Sequence, residues 1–316
     1  MTSPVPGPES PFPVSFAHRA EFTALRAVVS TLGALDWETA GNIGARIGAL
    51  GYRPLGIRRG VVERQIAAAF PELAEADVRR IALGAYENLG RSSIEAAILP
   101  RLGPNAVLDK FEGADDYDIV EEARSKGRGL IFVTGHLGNW ELAGAYVAAR
   151  GIPLDAIARR MKNPLFDRYL TETRSQIGMH VVHDSEAVRR TPRSLREGRA
   201  VAFLSDQGVL GLASTFVPFF GRPAKTPRGP AVFALRLDVP VVFGAAVRQP
   251  SGKYRLVFER VAVEDTGDRD RDVDAIVARY TAALERWVRR YPEQYFWHHR
   301  RWRRQPPDTP PELREP

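Results

Sequence analysis

The stretch GHLGNWELAG holds His136 and Glu141 with four residues between them. Imidazole is the side chain whose ordinary pKa lies nearest neutrality, so it can take a proton from an alcohol as that alcohol attacks a carbonyl. A neighbouring carboxylate can fix the imidazole tautomer and stabilise the imidazolium that forms. The spacing bridges a turn and makes a His136–Glu141 contact sterically feasible. Gly135 and Gly138 let a substrate approach the backbone, and a helix N-terminus just after them can stabilise an oxyanion or a phosphate. Taken alone, a histidine ahead of a glutamate is a weak pattern, more often an ordinary loop histidine than a catalytic one.

What must position these residues is a strand, a turn and a helix. GLIFVT is a short β-rich run that ends just before Gly135, and WELAGAYVAAR after it has helical spacing. Further strands are expected at LDAIA, MHVVH, AVAFLS, VPVVFGAAV and YRLVFERV, with helices at 164–177, 185–197 and 228–237 between them and a closing helix at 270–290. Strands alternating with helices predict an α/β sheet whose site lies at the carboxyl ends of its strands. Upstream, 16–112 reads as a helical region broken near Gly51, Pro54 and Pro71, and 113–304 as the α/β core. Proline-rich stretches at 1–15 and 305–316 read as disordered tails.

A chain of 316 residues, 44% of them hydrophobic, can bury a full core. It contains no cysteine, which removes disulfide frameworks, thiolate nucleophiles and Cys-based zinc sites. GxSxG, GxGxxG and GxxxxGK[ST] are absent too, so serine-hydrolase, dinucleotide and P-loop readings lack their signatures. His298 and His299 are adjacent, a poor spacing for two ligands, and no metal or cofactor is expected. A net charge of +7 points to a polyanionic partner such as a phosphorylated substrate, an anionic lipid surface or nucleic acid. The first fifteen residues have neither the basic nor the apolar region of a secretory signal, and no run is long enough to span a bilayer.

Three separated segments occur together: GHLGNWE, a charge-free FVPFFG preceded by SDQG, and a closing YPEQYFWHHRRWR. Together they resemble the late acyltransferases of lipid A biosynthesis, the lauroyl and myristoyl transferases, a family that includes the phosphatidylinositol mannoside acyltransferases. The likeness runs over roughly 51–304. It implies a lysophospholipid-acyltransferase-like αβα sandwich that moves a fatty acyl chain from an acyl carrier protein or coenzyme A thioester to a hydroxyl of a glycolipid, lysolipid or lipid A-type precursor. It implies His136 as base and Glu141 as orienting acid, with Asn139 and Trp140 in the same motif. Arg160 and Arg174 fill the family's two arginine positions, Arg174 beside the His–Glu pair, and Asp206 fills an acidic position at a strand end, read as lining the substrate site. The work is expected peripherally at the cytoplasmic face of the inner membrane. The early transmembrane anchor of the lipid A enzymes is not visible in this sequence.

Phe219 and Phe220 are candidates for an acyl-chain groove, with Arg228 near a phosphate, although phenylalanines there fit an ordinary core equally well. The closing ERWVRRYPEQYFWHHRRWRR interleaves seven arginines with Trp287, Trp297, Trp302, Tyr291 and Tyr295. That mixture suits an anionic bilayer surface. Two rival readings stay open: a basic nucleic-acid-binding protein, disfavoured because no binding module is recognisable, and a lipid-binding protein of the same fold without catalysis.

Overall fold

The computed structural model describes residues 13–125, 127–208, 211 and 213–316. Five helices come first: α1 (Phe16–Leu32), α2 (Trp37–Tyr52), α3 (Arg59–Ala69), α4 (Glu75–Ile98) and α5 (Pro104–Leu108). Ser15 and His18 form a capping box on α1, and Asp36 caps α2 by accepting from Thr39 N. α2 and α4 pack backbone to backbone: a Cβ on Gly48 would lie 2.0 Å from the Tyr86 carbonyl oxygen. This crossing buries the small-residue face of α2 and leaves Ile47 and Leu50 on its outer face.

The α/β part is built on a seven-stranded sheet in the order β1-β9-β8-β2-β5-β3-β4. β2 (Leu130–Thr134), β5 (Ala200–Leu204), β3 (Leu154–Ala158) and β4 (Met179–His183) run parallel, joined through α7 (Trp140–Ala149), α8 (Pro164–Gln176) and α9 (Asp184–Arg196). β8 (Val241–Arg248) extends the parallel set, and β9 (Tyr254–Val261) returns antiparallel to it. β1 (Phe111–Asp115) lies parallel to β9 at the edge, and α6 (Tyr117–Ser125) leads from it to β2. The boundary expected at 112/113 therefore falls inside a strand. Alternate residues of β2 enter different cores: Ile131 and Val133 join α3, α4 and α11 (Arg269–Arg290), while Leu130 and Phe132 join α5, α6 and α7. That double-sided burial is why the central strands β2 and β5 read as continuous apolar runs.

Strands β2 to β5, β8 and β9 lie where sequence periodicity places them. The sequence reading missed β1 and the hairpin β6 (Ser214–Phe219) with β7 (Arg222–Pro227), which precedes α10 (Gly229–Leu237). The hairpin turn is Phe220-Gly221, both at positive φ, a two-residue connection in which Phe220 is an unusual first residue. Of the expected amino-terminal tail, residues 1–12 lie outside the described residues. The expected carboxyl-terminal tail packs against the body instead, with Arg300 paired to Glu315 and Arg222 Nη1 donating to the Arg314 carbonyl.

Candidate active site

β2 and β5 are paired in register, Thr134 opposite Leu204. Two positions beyond each partner stand His136 and Asp206, and the register sets them side by side. The His136 Nδ1 to Asp206 Oδ1 distance is 2.7 Å, and the backbone N–H of His136 donates to Asp206 Oδ2 at 2.9 Å. Asp206 is 3% exposed. Burial alone would raise its carboxyl, but the His136 side chain, the hydrogen bonds it accepts and the Arg301 charge hold it well below the usual carboxylate range. Asp206 is therefore an anion fixed on Nδ1, which leaves Nε2 as the ring nitrogen open to a substrate.

The turn that presents His136 is held from two sides. Gly138 N donates to the Gln294 carbonyl and Asn139 N to the Ala246 carbonyl, both at 2.9 Å, while Phe296 N donates back to the His136 carbonyl. Gly138 has φ +63°, and a Cβ there would lie 1.8 Å from the Ala246 oxygen, so the position demands glycine. Asn139 caps α7 by accepting from Leu142 N, and its amide donates to Glu95 Oε2, which also accepts from the Tyr254 hydroxyl. Asn139 is buried, so its place is inside the scaffold, against its expected place on the substrate. The N–H groups of Trp140 and Glu141, in the first turn of α7, have no acceptor among the described residues.

Glu141 does not contact His136. It faces the last turn of α8, where Arg174 grips it through both Nε and Nη2. The reason is geometric: α7 begins at Trp140, so the second helical residue has already turned from the strand end toward α8. The carboxylate that touches His136 is Asp206, which the sequence reading had assigned to lining the substrate site. A signal for this existed, since both residues follow an apolar strand at the same offset, but using it requires knowing that β2 and β5 are neighbours.

His136 opens on a cleft of about 270 Å³ at the carboxyl ends of the strands, with Trp140, Arg159, Met161, Arg174, His183 and Gln207 among its walls. The Trp140 ring stands edge-on to the imidazole at 4.8 Å. Beyond Trp140 and the Glu141–Arg174 pair lies a second, apolar cavity between the sheet and α7. Phe132, Val147, Leu154, Ile157, Met179 and Phe258 are among its walls. Trp140, Ile157, Ala158, Arg174 and Leu204 line both spaces, so the two adjoin across these side chains. Arg159 and His183 in the cleft were not candidates from the sequence, where Arg159 was not singled out and His183 was one of several scattered histidines that suggested nothing.

Other expectations are corrected by packing. Phe219 and Phe220 line neither space; they are buried against Phe70, Tyr295, Trp297 and Trp302. Arg228 meets Asp270 and Asp274 on α11, which neutralises it away from the cleft. Arg160 sits 3.7 Å from Asp167, and its neighbour Arg159 takes the cleft wall. Trp297 and Trp302 are fully buried and Arg301 is 3% exposed, so most of the closing segment's aromatic surface is core and unavailable to a bilayer. Among the described residues, no helix is long and apolar enough to cross a membrane, and no group of three or more His, Cys, Asp or Glu could hold a metal ion.

The parallel-rich α/β sheet thus carries a histidine–carboxylate pair at its strand ends, on a cleft that adjoins an apolar cavity. A profile of the bacterial lipid A biosynthesis acyltransferases matches residues 11–304, and the chain belongs to that family. It is an acyltransferase with an α/β fold. It is 25% identical over 271 residues to the lipid A biosynthesis lauroyltransferase of Escherichia coli K12, covering 85% of this chain and 87% of that one. It is also 25% identical over 266 residues to that organism's lipid A biosynthesis palmitoleoyltransferase, covering 84% of this chain and 85% of that one. A phosphatidylinositol mannoside acyltransferase of Mycolicibacterium smegmatis is 26% identical over 196 residues, covering 61% of this chain and 62% of that protein.

Proposed function

We propose that this protein transfers a fatty acyl chain from an acyl carrier protein or coenzyme A thioester directly to a hydroxyl of a membrane glycolipid. The observation that carries the reading is the His136–Asp206 pair on a cleft that adjoins the apolar cavity, since it sets a positioned base near a place for an alkyl chain. Nε2 of His136 takes the proton of the acceptor hydroxyl as its oxygen bonds to the thioester carbonyl carbon. When the tetrahedral intermediate collapses, the C–S bond breaks and Nε2 returns that proton to the leaving thiolate. Asp206 holds the tautomer and offsets the imidazolium charge. The free N–H groups of Trp140 and Glu141, with Nη1 of Arg174, stabilise the oxyanion, while Glu141 fixes Arg174 where the cleft meets the cavity. Acyl thioesters of both kinds are made in the cytoplasm, which supports peripheral work at the cytoplasmic membrane face.

The test is thioester consumption by purified protein with a detergent-dispersed glycolipid. His136→Ala should lower turnover by about 10²–10⁴-fold with the melting temperature unchanged. Asp206→Asn should fall nearly as far, and Glu141→Gln should lose less. Turnover by His136→Ala equal to wild type sinks the assignment, and no transfer across a donor panel favours the non-catalytic lipid-binding reading.

A further inference from the structure

With Trp297 and Trp302 of the closing segment buried, a lipid enzyme needs another surface to meet its bilayer, and the elbow between α2 and α3 has the chemistry for it. Four large apolar side chains gather there with most of their neighbours missing: Ile47 is 48% exposed, Leu50 53%, Leu55 66% and Ile57 55%. Ile47 and Leu50 stand on the face of α2 turned away from α4, and Leu55 and Ile57 on the connecting loop. The stretch 39–62 contains Arg46, Arg53, Arg58 and Arg59 and no acidic residue. Arg59 is paired with Glu63, but Arg46, Arg53 and Arg58 have no ion-pair partner among the described residues. An apolar cluster ringed by unneutralised arginines is complementary to an anionic bilayer, whose headgroups take the guanidinium charge while the side chains enter the acyl boundary.

The elbow is also built to hold its shape and lies close to the chemistry. Leu55 N donates to the Leu50 carbonyl at 3.1 Å and Ile57 N to the Gly51 carbonyl at 2.9 Å, and the Tyr86 hydroxyl donates to the Ile57 carbonyl. From Tyr86 a line of rings leads to the site: Tyr86 to His298 at 4.2 Å, His298 to Phe296 at 5.2 Å, and Phe296 to His136 at 5.7 Å. The elbow is thus joined to His136 through three successive rings, Tyr86, His298 and Phe296. We propose that residues 46–58 form the membrane-docking surface, inserting Ile47, Leu50, Leu55 and Ile57 into an anionic leaflet with Arg46, Arg53 and Arg58 at headgroup level. The proposal rests on the acyltransferase reading for its purpose and not for its test.

Co-sedimentation with phosphatidylcholine vesicles carrying roughly one phosphatidylglycerol in three tests it. The wild-type chain should bind these at least about tenfold more tightly than vesicles of phosphatidylcholine alone, and Leu55→Glu/Ile57→Glu should lose at least about tenfold in binding with an unshifted melting temperature. Arg46→Gln/Arg53→Gln/Arg58→Gln should lose the preference for phosphatidylglycerol. Val188→Glu, which alters an exposed apolar residue on α9, should bind as wild type. The proposal is overturned if Leu55→Glu/Ile57→Glu binds as wild type, if the wild-type chain binds neither vesicle, or if that variant instead splits a wild-type dimer while vesicle binding persists. Wild-type protein that docks through the elbow yet consumes no thioester in detergent sinks the catalytic reading and leaves the docking surface standing.

Discussion

Two stretches of this chain combine arginines with large apolar residues, and they end in opposite environments. In the closing segment Trp297 and Trp302 are fully buried, their indole N–H groups donating to the Pro292 and Phe219 carbonyls. Of its seven arginines, Arg286 meets Glu259, Arg289 meets Glu285, Arg300 meets Glu315, and buried Arg301 donates to the Lys225 carbonyl and the Thr226 hydroxyl. At the elbow, the apolar side chains face solvent and three arginines keep their charge. Composition is similar in the two; partners differ. A cation can enter the interior, as Arg301 does, only where the fold brings it acceptors.

The largest effect that separates the two regions is expected on stability. Trp297→Ala should cost about 3–5 kcal/mol, because a filled site between Phe70, Phe220 and Tyr295 becomes a cavity. A shift in the urea midpoint corresponding to less than about 1 kcal/mol would return Trp297 to the surface and erase the contrast.

Next in size is an acid effect that belongs to the closing segment. Burial, aided by the nearby Arg58 charge, pushes His298 down to about 4, and burial pushes His299 to about 4 as well. An unfolded histidine takes up its proton near 6.5, so between there and about 4 the unfolded chain binds protons that the folded chain refuses. Stability is full above that window and lost as pH falls through it, by about 2 kcal/mol per histidine at pH 5. Neither ring nitrogen of His298 has a hydrogen-bond partner among the described residues, so His298→Phe should remove its share of the acid loss without a new penalty. Melting temperatures between pH 7 and 5 check this; an equally steep fall in the variant would show that His298 does not titrate as argued.

The smallest effect is at the elbow. Leu55→Ser should change stability by no more than about 0.5 kcal/mol in the urea midpoint, since the side chain packs on little. A loss of 2 kcal/mol or more would mean that Leu55 belongs to the core and that the two regions are alike.

From its residues alone, the chain declared an α/β sheet with a histidine at a strand end, because buried parallel strands read as short apolar runs and the GHLGNWE turn follows one of them directly. The motifs also carried the family. Tertiary structure decided which carboxylate the histidine meets. Asp206 is 70 residues away in sequence, yet strand register places it beside His136, whereas Glu141, close in sequence, is rotated by the first turn of α7 onto Arg174. It also decided where the alkyl-lined space lies: the phenylalanines of FVPFFG went to the core, and the cavity is assembled from scattered side chains of β2, β3, β4, β9 and α7. Spacing along a chain reports which face of one element a residue occupies, but contact between elements depends on sheet order and register, which a single sequence leaves open.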